Sequence, residues 1–307
     1  MTLRELEYLV ALAKYRHFGR AAEACLISQP TLSAQIKKLE AELGVQLIER
    51  DARGAILTAF GKKTAERAKR ILAEVEHIKD AAQESRNPES GALRLGIFPT
   101  LGPYLLPFVM PRIAERFKSL QTLLIEEKSD GLIDRLRDGE IDAAILALPV
   151  ADDQLVSDFL FEEAFLLAVP RNHRLNRQET IATSELLGEE LMLLEEGHCL
   201  RDQALEVCTL SGAFERPTFR GTSLETLRHM VASGIGVTLL PKLATLAPST
   251  AVDTLGLVRF EASPAPSRRI ALVWRKSSAR ENLFRDLAAV IRDVIAPMLE
   301  DVAIAAE

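Results

Sequence analysis

From residue 92 to residue 299 the chain alternates short apolar segments with longer amphipathic segments, and this alternation is the strongest constraint on its fold. Short apolar runs predict buried strands, and apolar side chains at every third or fourth position predict helices. The strands are expected at 92–98, 122–127, 143–148, 166–169, 191–194, 217–221, 237–239 and 270–274. The helices are expected at 104–117, 131–138, 199–210, 223–233 and 281–299. The pattern predicts an α/β fold in which parallel sheets are covered by helices.

This α/β region is expected to form two lobes, each with its own sheet. Residues 155–163 and 262–268 are the expected crossovers between them. Lobe I would then contain 91–162 and 268–307, and lobe II would contain 163–267. Residues 87–91 (NPESG) are rich in turn-forming residues and are typical of a linker in front of the first lobe.

The first 58 residues have a different pattern, which predicts three helices at 3–15, 19–25 and 29–43. Ser28 can cap the third helix, Pro30 lies in its first turn and Gly44 ends it. The short turn between the second and third helices makes them a helix-turn-helix pair. Residues 50–57 are expected to form a small two-stranded wing beside it.

The charge of the chain is unevenly distributed. Residues 1–70 contain 13 Lys and Arg against 8 Asp and Glu, which gives them a net charge of +5. Since the whole chain has a net charge of −6, the remaining residues carry −11. A basic N-terminal module on an acidic body is typical of a nucleic-acid-binding domain joined to a second domain.

The third helix has the small polar side chains that a recognition helix needs near its N-terminus, where it meets base edges and phosphates. Its glutamines can read adenine, its lysines suit phosphates, and the wing arginines can reach phosphate or the minor groove. The predicted DNA-binding residues are Ser28, Gln29, Pro30, Thr31, Ser33, Gln35, Lys37, Lys38, Arg50 and Arg53.

A long helix is expected from Thr58 to about residue 86, with apolar residues at alternating spacings of three and four. Such a seam is typical of a coiled coil, although an ordinary amphipathic helix can also show it. Since a lone helix between domains would leave the seam uncovered, we interpret residues 59–88 as a dimerisation helix. The seam residues are Ala68, Ile71, Val75, Ile78 and Ala82.

Two cysteines, Cys199 and Cys208, lie nine residues apart on one expected helix that follows an apolar strand. Nine steps of about 100° place them on opposite faces, separated by roughly 13 Å along the axis. A disulfide requires Cα atoms within about 7 Å. Either this pair never bonds, or bonding unwinds the helix and makes a chemical switch.

The remaining sequence features favour an intracellular protein without a metal or cofactor. Cys25, beside Ala21 and Ala22, is expected to pack in the core of the N-terminal helical domain. A total of three cysteines, an odd number, does not suggest a structural disulfide framework. No apolar run is long enough to span a bilayer, and acidic residues lie where a signal peptide would be apolar. We therefore expect a cytoplasmic location. The histidines that lack the spacing of metal ligands are His17, His77, His173 and His229.

The N-terminal motifs resemble those of the LysR-type transcriptional regulators. The resemblance rests on residues 6–13 (LEYLVALA), 17–18 (HF), 21–22 (AA), 28–33 (SQPTLS) and 36–45 (IKKLEAELGV). It implies a winged helix-turn-helix domain at 1–58, a linker helix at 59–88 and a two-lobed, periplasmic-binding-protein-like α/β effector domain at 91–307. The implied partners are double-stranded promoter DNA, further copies of the chain in a dimer of dimers, and RNA polymerase.

Three further runs narrow the resemblance to family members that sense hydrogen peroxide. They are residues 99–107 (PTLGPYLLP), 197–204 (GHCLRDQA) with Cys208, and 222–228 (TSLETLR). The resemblance implies that Cys199 is oxidised by peroxide, that Cys208 then forms a disulfide with it, and that a thiol reductant system resets the pair. Supporting roles are implied for Thr100, Ser129, His198, Asp202 and either Arg268 or Arg269.

A reactive cysteine needs a lowered pKa, and the start of a helix favours an anion. We therefore expect a lowered pKa for Cys199, with His198 and Arg201 adding positive or donor character. Two alternatives stay open. One is a regulator of the same family that binds a small organic ligand between its lobes. The other is a thiol peroxidase with a DNA-binding appendage.

Overall fold

The computed structural model describes residues 1–51, 54–84, 90–246, 255–261 and 265–299. They group into two compact units, one centred on residues 1–86 and the other covering most of the remainder. None of the helices within these ranges is both long and apolar enough to cross a membrane.

The first unit is a helical head with a two-stranded wing. Its elements are α1 (Leu3–Tyr15), α2 (Phe18–Ala24), α3 (Gln29–Leu43), β1 (Ile48–Asp51), β2 (Gly54–Leu57) and α4 (Ala59–Glu84). Ser28 caps α3 by accepting a hydrogen bond from the Thr31 amide, and Gly44 ends α3 in the left-handed conformation, with φ of 68°. The predicted helix-turn-helix and wing are therefore confirmed.

The core of the head comes from one apolar stripe on each helix. Leu9 and Leu12 of α1 pack with Leu32, Ile36 and Leu39 of α3, and all five side chains are fully buried. Burying side chains of this size stabilises a fold by about 1.5–3 kcal/mol each. Cys25 packs at the edge of this core, as the sequence predicts. The packing fixes α3 while its opposite, polar face stays at the surface.

The second unit alternates strands and helices. Its first half contains β3 (Gly91–Ile97), α5 (Gly102–Arg116), β4 (Leu120–Glu126), α6 (Ser129–Arg137), β5 (Ala143–Ala147) and β6 (Leu155–Pro170). There follow β7 (Thr180–Ile181), β8 (Glu190–Leu194), α7 (Cys199–Ser211), β9 (Phe214–Gly221) and α8 (Leu224–Ala232). The last elements are β10 (Thr238–Pro241), α9 (Lys242–Leu246), β11 (Leu255–Phe260), β12 (Ser267–Arg275) and α10 (Glu281–Leu299).

The strand pairing of this unit is mixed, so the prediction of parallel sheets is wrong in part. β3 pairs in parallel with β4 and β5, but β12 runs antiparallel to both β5 and β6. β10 and β11 also run antiparallel to β6, and the main sheet follows the order β4-β3-β5-β12-β6-β11-β7. A separate parallel pair is formed by β8 and β9.

Residues 155–163, which the sequence predicts to cross between the lobes, begin one long strand that passes from one half of the unit to the other. Residues 155–164 of β6 pair with β12, and residues 165–170 pair with β10 and β11. Hydrogen bonding to different partners along its length keeps the strand continuous where sequence alone suggested a break. β6 therefore joins the two halves of the second unit, and the site around Cys199 described below lies where these halves meet.

Candidate functional site

Cys199 is the first residue of α7 and follows β8 after a tight turn. Gly197 in that turn has φ of 87°, and an added Cβ would lie 3.1 Å from the Lys128 side chain. Lys128 Nζ donates to Glu195 Oε1 and to the Glu196 carbonyl, both at 2.8 Å. Lys128, which directly precedes α6, thus holds the turn in place. The turn puts Cys199 at the N-terminus of α7, as the sequence predicts.

Groups from three elements surround the sulfur. Arg268 approaches from β12, Ser129 from the start of α6, and the Leu200 amide and Asp202 belong to α7. The Ser129 hydroxyl is buried beside the thiol and has no nitrogen or oxygen partner within the described ranges. The structure therefore brings together Ser129, Asp202 and Arg268 from distant parts of the sequence.

The acidity of this thiol differs from the expectation. Burial raises the pKa of Cys199 above its ordinary value, and the Asp202 carboxylate adds to the rise. The charge of Arg268 and hydrogen bonds from Ser129 and Leu200 lower the pKa, but they do not offset burial. The expected lowered pKa is therefore wrong, and the resting thiol is protonated at neutral pH.

Arg268, and not Arg269, is the arginine at this site. The Arg268 side chain is buried, and its Nη1 and Nη2 donate to Thr100 Oγ1 and to the Thr100 carbonyl, both at 3.2 Å. Arg269 follows it on β12 and lies over the Phe159 ring, with 5.2 Å from the guanidinium carbon to the ring centroid. Neighbouring residues of a strand face opposite sides of the sheet, so only one of the two can face Cys199.

His198 and Arg201 do not supply the expected positive charge to the thiol. His198 is buried; burial and then the nearby Lys128 charge lower its pKa, and Glu195 opposes them, so the imidazole is neutral at pH 7. Arg201 donates to both carboxylate oxygens of Glu215, each at 2.8 Å, and to the Leu194 carbonyl at 3.0 Å. Arg201 therefore anchors α7 to β9 and β8, and neither residue is among the groups whose charge shifts the pKa of Cys199.

The Arg201–Glu215 pair should make the second unit sensitive to acid. Arg201 lowers the pKa of Glu215, so the pair stabilises the folded state above the ordinary carboxyl pKa and loses its effect as the pH falls through the lowered value. We expect Glu215→Gln to reduce the free energy of unfolding by about 1–3 kcal/mol at pH 7, and by less at pH 4. Denaturant unfolding at both pH values measures this.

The matched control is Glu196→Gln, since Glu196 is exposed and its oxygen lies 3.8 Å from Arg220. Exposed pairs contribute about 0–1 kcal/mol, so this control should change little. An equal loss of stability for Glu215→Gln at pH 7 and pH 4 would contradict the ionic role of the pair.

A second buried polar group was missed by sequence analysis. The Tyr104 hydroxyl on α5 donates to Glu225 Oε1 at 2.8 Å, and the fully buried Arg228 donates to the same oxygen at 3.0 Å. Arg228 also donates to the Ala244 carbonyl of α9 at 2.8 Å. These contacts hold the N-terminus of α5 against α8. The 222–228 motif marked this segment, but nothing in the sequence indicated its partners.

The polar face of α3 is presented as the sequence predicts. Ser28, Gln29, Pro30, Thr31 and Lys37 are exposed, and Ser33 and Gln35 are partly exposed. Lys38 is exposed too, but its Nζ lies 2.9 Å from Oε1 of the buried Glu5. The side chain of Arg50 and the whole of Arg53 lie outside the described residues. Of the two lysines, Lys37 is therefore the cleaner candidate for a phosphate contact.

Comparison with known families agrees with this architecture. Residues 3–62 match the bacterial regulatory helix-turn-helix protein model of the lysR family, and residues 86–296 match the LysR substrate binding domain. The chain belongs to the LysR family of DNA-binding transcription regulators.

Within this family the chain is similar to OxyR proteins. It is 45% identical over 293 residues to the DNA-binding transcriptional dual regulator OxyR of Escherichia coli K12, covering 95% of both chains. A full-length OxyR variant from Pseudomonas aeruginosa is 39% identical with a TM-score of 0.77, covering 95% of this chain and 98% of that one. An H2O2-bound mutant of Corynebacterium glutamicum OxyR is 33% identical with a TM-score of 0.68, covering 97% and 94%.

Proposed function

We propose that this protein is a transcription regulator that senses hydrogen peroxide through oxidation of Cys199 and a disulfide with Cys208. The observation that carries the proposal is the arrangement around Cys199: a partly buried thiol at a helix N-terminus, faced by Arg268 and Ser129 and near Thr100. Similarity over nearly the whole chain to the OxyR regulator of Escherichia coli and to an H2O2-bound OxyR mutant of Corynebacterium glutamicum supports it.

The chemistry requires the thiolate to attack one peroxide oxygen. The S–O bond forms as the O–O bond breaks, and the leaving hydroxide takes a proton to become water. Sulfur is oxidised to a sulfenic acid and peroxide is reduced. Arg268 can stabilise the thiolate as it forms, and the Ser129 and Thr100 hydroxyls can donate to the peroxide oxygens. Since Thr100 Oγ1 accepts from Arg268, the hydroxyl proton of Thr100 remains able to donate.

The second step joins the two cysteines. The Cys208 thiol attacks the sulfenic sulfur, the disulfide forms, and the sulfenic oxygen leaves as water. Both residues belong to one continuous helix, α7, although the side chain of Cys208 is outside the described part. Gly197 and Gly212 flank the helix with φ of 87° and 70°, and they can act as hinges when it unwinds. A thiol reductant then restores the pair.

The proposed assembly is a dimer of dimers that binds promoter DNA and activates transcription with RNA polymerase. Residues 1–58 would form the DNA-binding domain, 59–88 the dimerisation helix, and 91–307 the sensing domain, with the lobe boundaries given above. On α4, Ala68 is buried, but Ile71 is 43% and Ile78 68% exposed. A second copy of α4 would cover this seam.

We further propose that the protein acts in the cytoplasm and is a sensor, not an enzyme. A thiol peroxidase turns over continuously with a reductant, whereas a sensor reacts once per signal and a partly buried thiol suits that use. The third possibility is a regulator that binds a small organic ligand between the lobes, and such a regulator would not need the Cys199–Cys208 pair.

Peptide mapping after peroxide treatment tests the proposed function. Trypsin cleaves after Arg201, so the two cysteines fall in different peptides and a disulfide between them is identified directly. We expect one equivalent of peroxide to link these peptides under non-reducing conditions. Steady consumption of peroxide with reductant would instead indicate a peroxidase, and a response without any change at either cysteine would indicate a ligand sensor.

The recognition helix can be tested by two substitutions with different signatures. Lys37→Ala should weaken binding to all sequences and reduce the slope of log affinity against log salt by about 0.9, because one phosphate contact is lost. Gln29→Ala should relax sequence preference at one base pair, at a cost of about 1–3 kcal/mol. Binding to operator and non-operator duplexes across salt concentrations separates the two effects.

Lys14→Ala, on α1, is the control for removing a positive charge from the head. If Gln29→Ala changed only the salt-dependent part of binding, Gln29 would not read a base. Lys38→Ala is a poorer probe because it also leaves the buried Glu5 without its ion-pair partner.

A further inference from the structure

The Arg268 guanidinium is fixed by a buried carboxylate that sequence analysis did not single out. Glu163 on β6 is fully buried, and its Oε2 accepts from Arg268 Nε at 2.7 Å. Its Oε1 accepts from the Leu243 amide of α9 at 2.6 Å. Glu163 and Arg268 are direct partners in the β6–β12 register, so their side chains lie on the same face of the sheet.

Arg268 thus lies between two acidic groups. One is the Glu163 carboxylate, which accepts hydrogen bonds from Arg268 Nε and the Leu243 amide, and the other is the Cys199 thiol, whose raised pKa the charge of Arg268 opposes. The Thr100 contacts and the Phe98 ring, 5.4 Å from the guanidinium carbon, hold the arginine from its remaining sides. Its position does not depend on Glu163 alone.

We propose that Glu163 is a positioning residue that restrains the sensing thiol, because its buried carboxylate neutralises Arg268 and competes with the Cys199 thiolate for that guanidinium. The proposal deepens the proposed function, on which its biological meaning rests. Burial is the main cause of the raised pKa of Cys199, and the Glu163 carboxylate would add a reason why the charge of Arg268 does not offset it.

The other groups that face the thiol do not take over this role. Asp202 on α7 disfavours the thiolate, Ser129 on α6 is neutral, and His198 is uncharged at neutral pH. Removing the Glu163 charge therefore removes the carboxylate that is ion-paired with Arg268 and leaves the guanidinium to favour the Cys199 thiolate more strongly. In Glu163→Gln the amide oxygen can still accept from Arg268 Nε, although the amide nitrogen then faces the Leu243 N–H.

The test is the pH dependence of Cys199 alkylation by iodoacetamide in the reduced full-length protein. The rate follows the thiolate fraction, and trypsin cleavage after Arg201 resolves Cys199 from Cys208. We expect Glu163→Gln to move the midpoint down by about one pH unit, which is about ten-fold faster alkylation below both midpoints. Because burial raises the Cys199 pKa, looser packing alone would also lower it, and the double variant described next, which lacks Arg268, separates the two causes.

Three further variants make the result specific. Glu162→Gln should leave the midpoint unchanged. Glu162 is the neighbouring residue on the exposed face of β6, and its carboxylate accepts a hydrogen bond from the Ser267 hydroxyl. Glu163→Asp shortens the carboxylate and should move the midpoint down by less, and it carries the test if Glu163→Gln does not fold. The double variant Glu163→Gln, Arg268→Gln should have its midpoint above that of the parent, because both charges are gone and burial remains.

An unchanged or raised midpoint in Glu163→Gln would overturn the proposal, and so would a double variant whose midpoint stays below the parent. Alkylation involves no peroxide. If Glu163→Gln lowers the alkylation midpoint as expected but the parent protein forms no disulfide with peroxide, the proposed function is refuted and the role of Glu163 stands.

Discussion

Replacing Cys199 with serine is expected to abolish the response to hydrogen peroxide and leave the fold and DNA binding intact. A serine hydroxyl does not ionise near neutral pH, so no nucleophile forms for the O–O bond. The substitution is nearly isosteric, and the site already contains the hydroxyls of Ser129 and Thr100. Transcription from a responsive promoter, with and without peroxide, should be reduced to its uninduced level.

The matched control is Cys25→Ser in the head. Cys25 is partly buried beside the core, and burial raises the pKa of its thiol, with Glu7 adding to the rise. The groups that shift the pKa of Cys25 include no positive charge like that of Arg268. Cys25 should therefore be oxidised slowly, and the Cys25→Ser variant should respond to peroxide like the parent. An undiminished response in Cys199→Ser would show that Cys199 is not the sensor.

Oxidation is expected to unwind α7 between the two cysteines, which is the largest structural change predicted for this protein. In the reduced protein α7 is continuous over Cys199–Ser211, so the cysteines are on opposite faces and roughly 13 Å apart along the axis. A disulfide closes that separation to less than about 7 Å, which an intact helix cannot accommodate. The released segment would expose Leu200, Ala204 and Val207, which are now buried.

Hydrogen exchange of the reduced and oxidised protein measures this change. Amides from Leu200 to Val207 should lose their protection only after oxidation, while α8 stays protected as an internal reference. Cys208→Ser, in which Cys199 can be oxidised but no bridge forms, should keep α7 protected. If the bridge is present by mass spectrometry and these amides remain protected, the switch mechanism is wrong.

An unwound α7 would lose its contacts with the surrounding elements. Arg201 ties the first turn to Glu215 and Leu194, and the rest of the helix packs against the 3₁₀ turn at Thr183–Leu186. Since a packed core has discrete arrangements, removing this helix face can change the surface through which copies of the chain associate. We expect the DNA-binding heads of the oligomer to be repositioned, with a change in the spacing of contacts on DNA.

Local structure could largely be predicted from the sequence because its causes are close in the chain. Ser28, Pro30 and Gly44 delimit α3 by satisfying or avoiding the free backbone groups at its ends. The period of apolar residues identified the core face of that helix, and Cys199 was correctly placed at the start of α7. Spacing on an ideal helix was also sufficient to predict that a Cys199–Cys208 bond is incompatible with α7.

Tertiary structure alone decided which distant residues meet and what electrostatic environment they create. Glu163, Arg268 and Thr100 are brought together by the register of β6 and β12 and the end of β3, which no local pattern specifies. The same holds for the continuity of β6, whose partners come from three later strands. The raised pKa of Cys199 and the neutral state of His198 follow from burial, and burial is a property of the packed chain that the residues near a group in sequence do not determine.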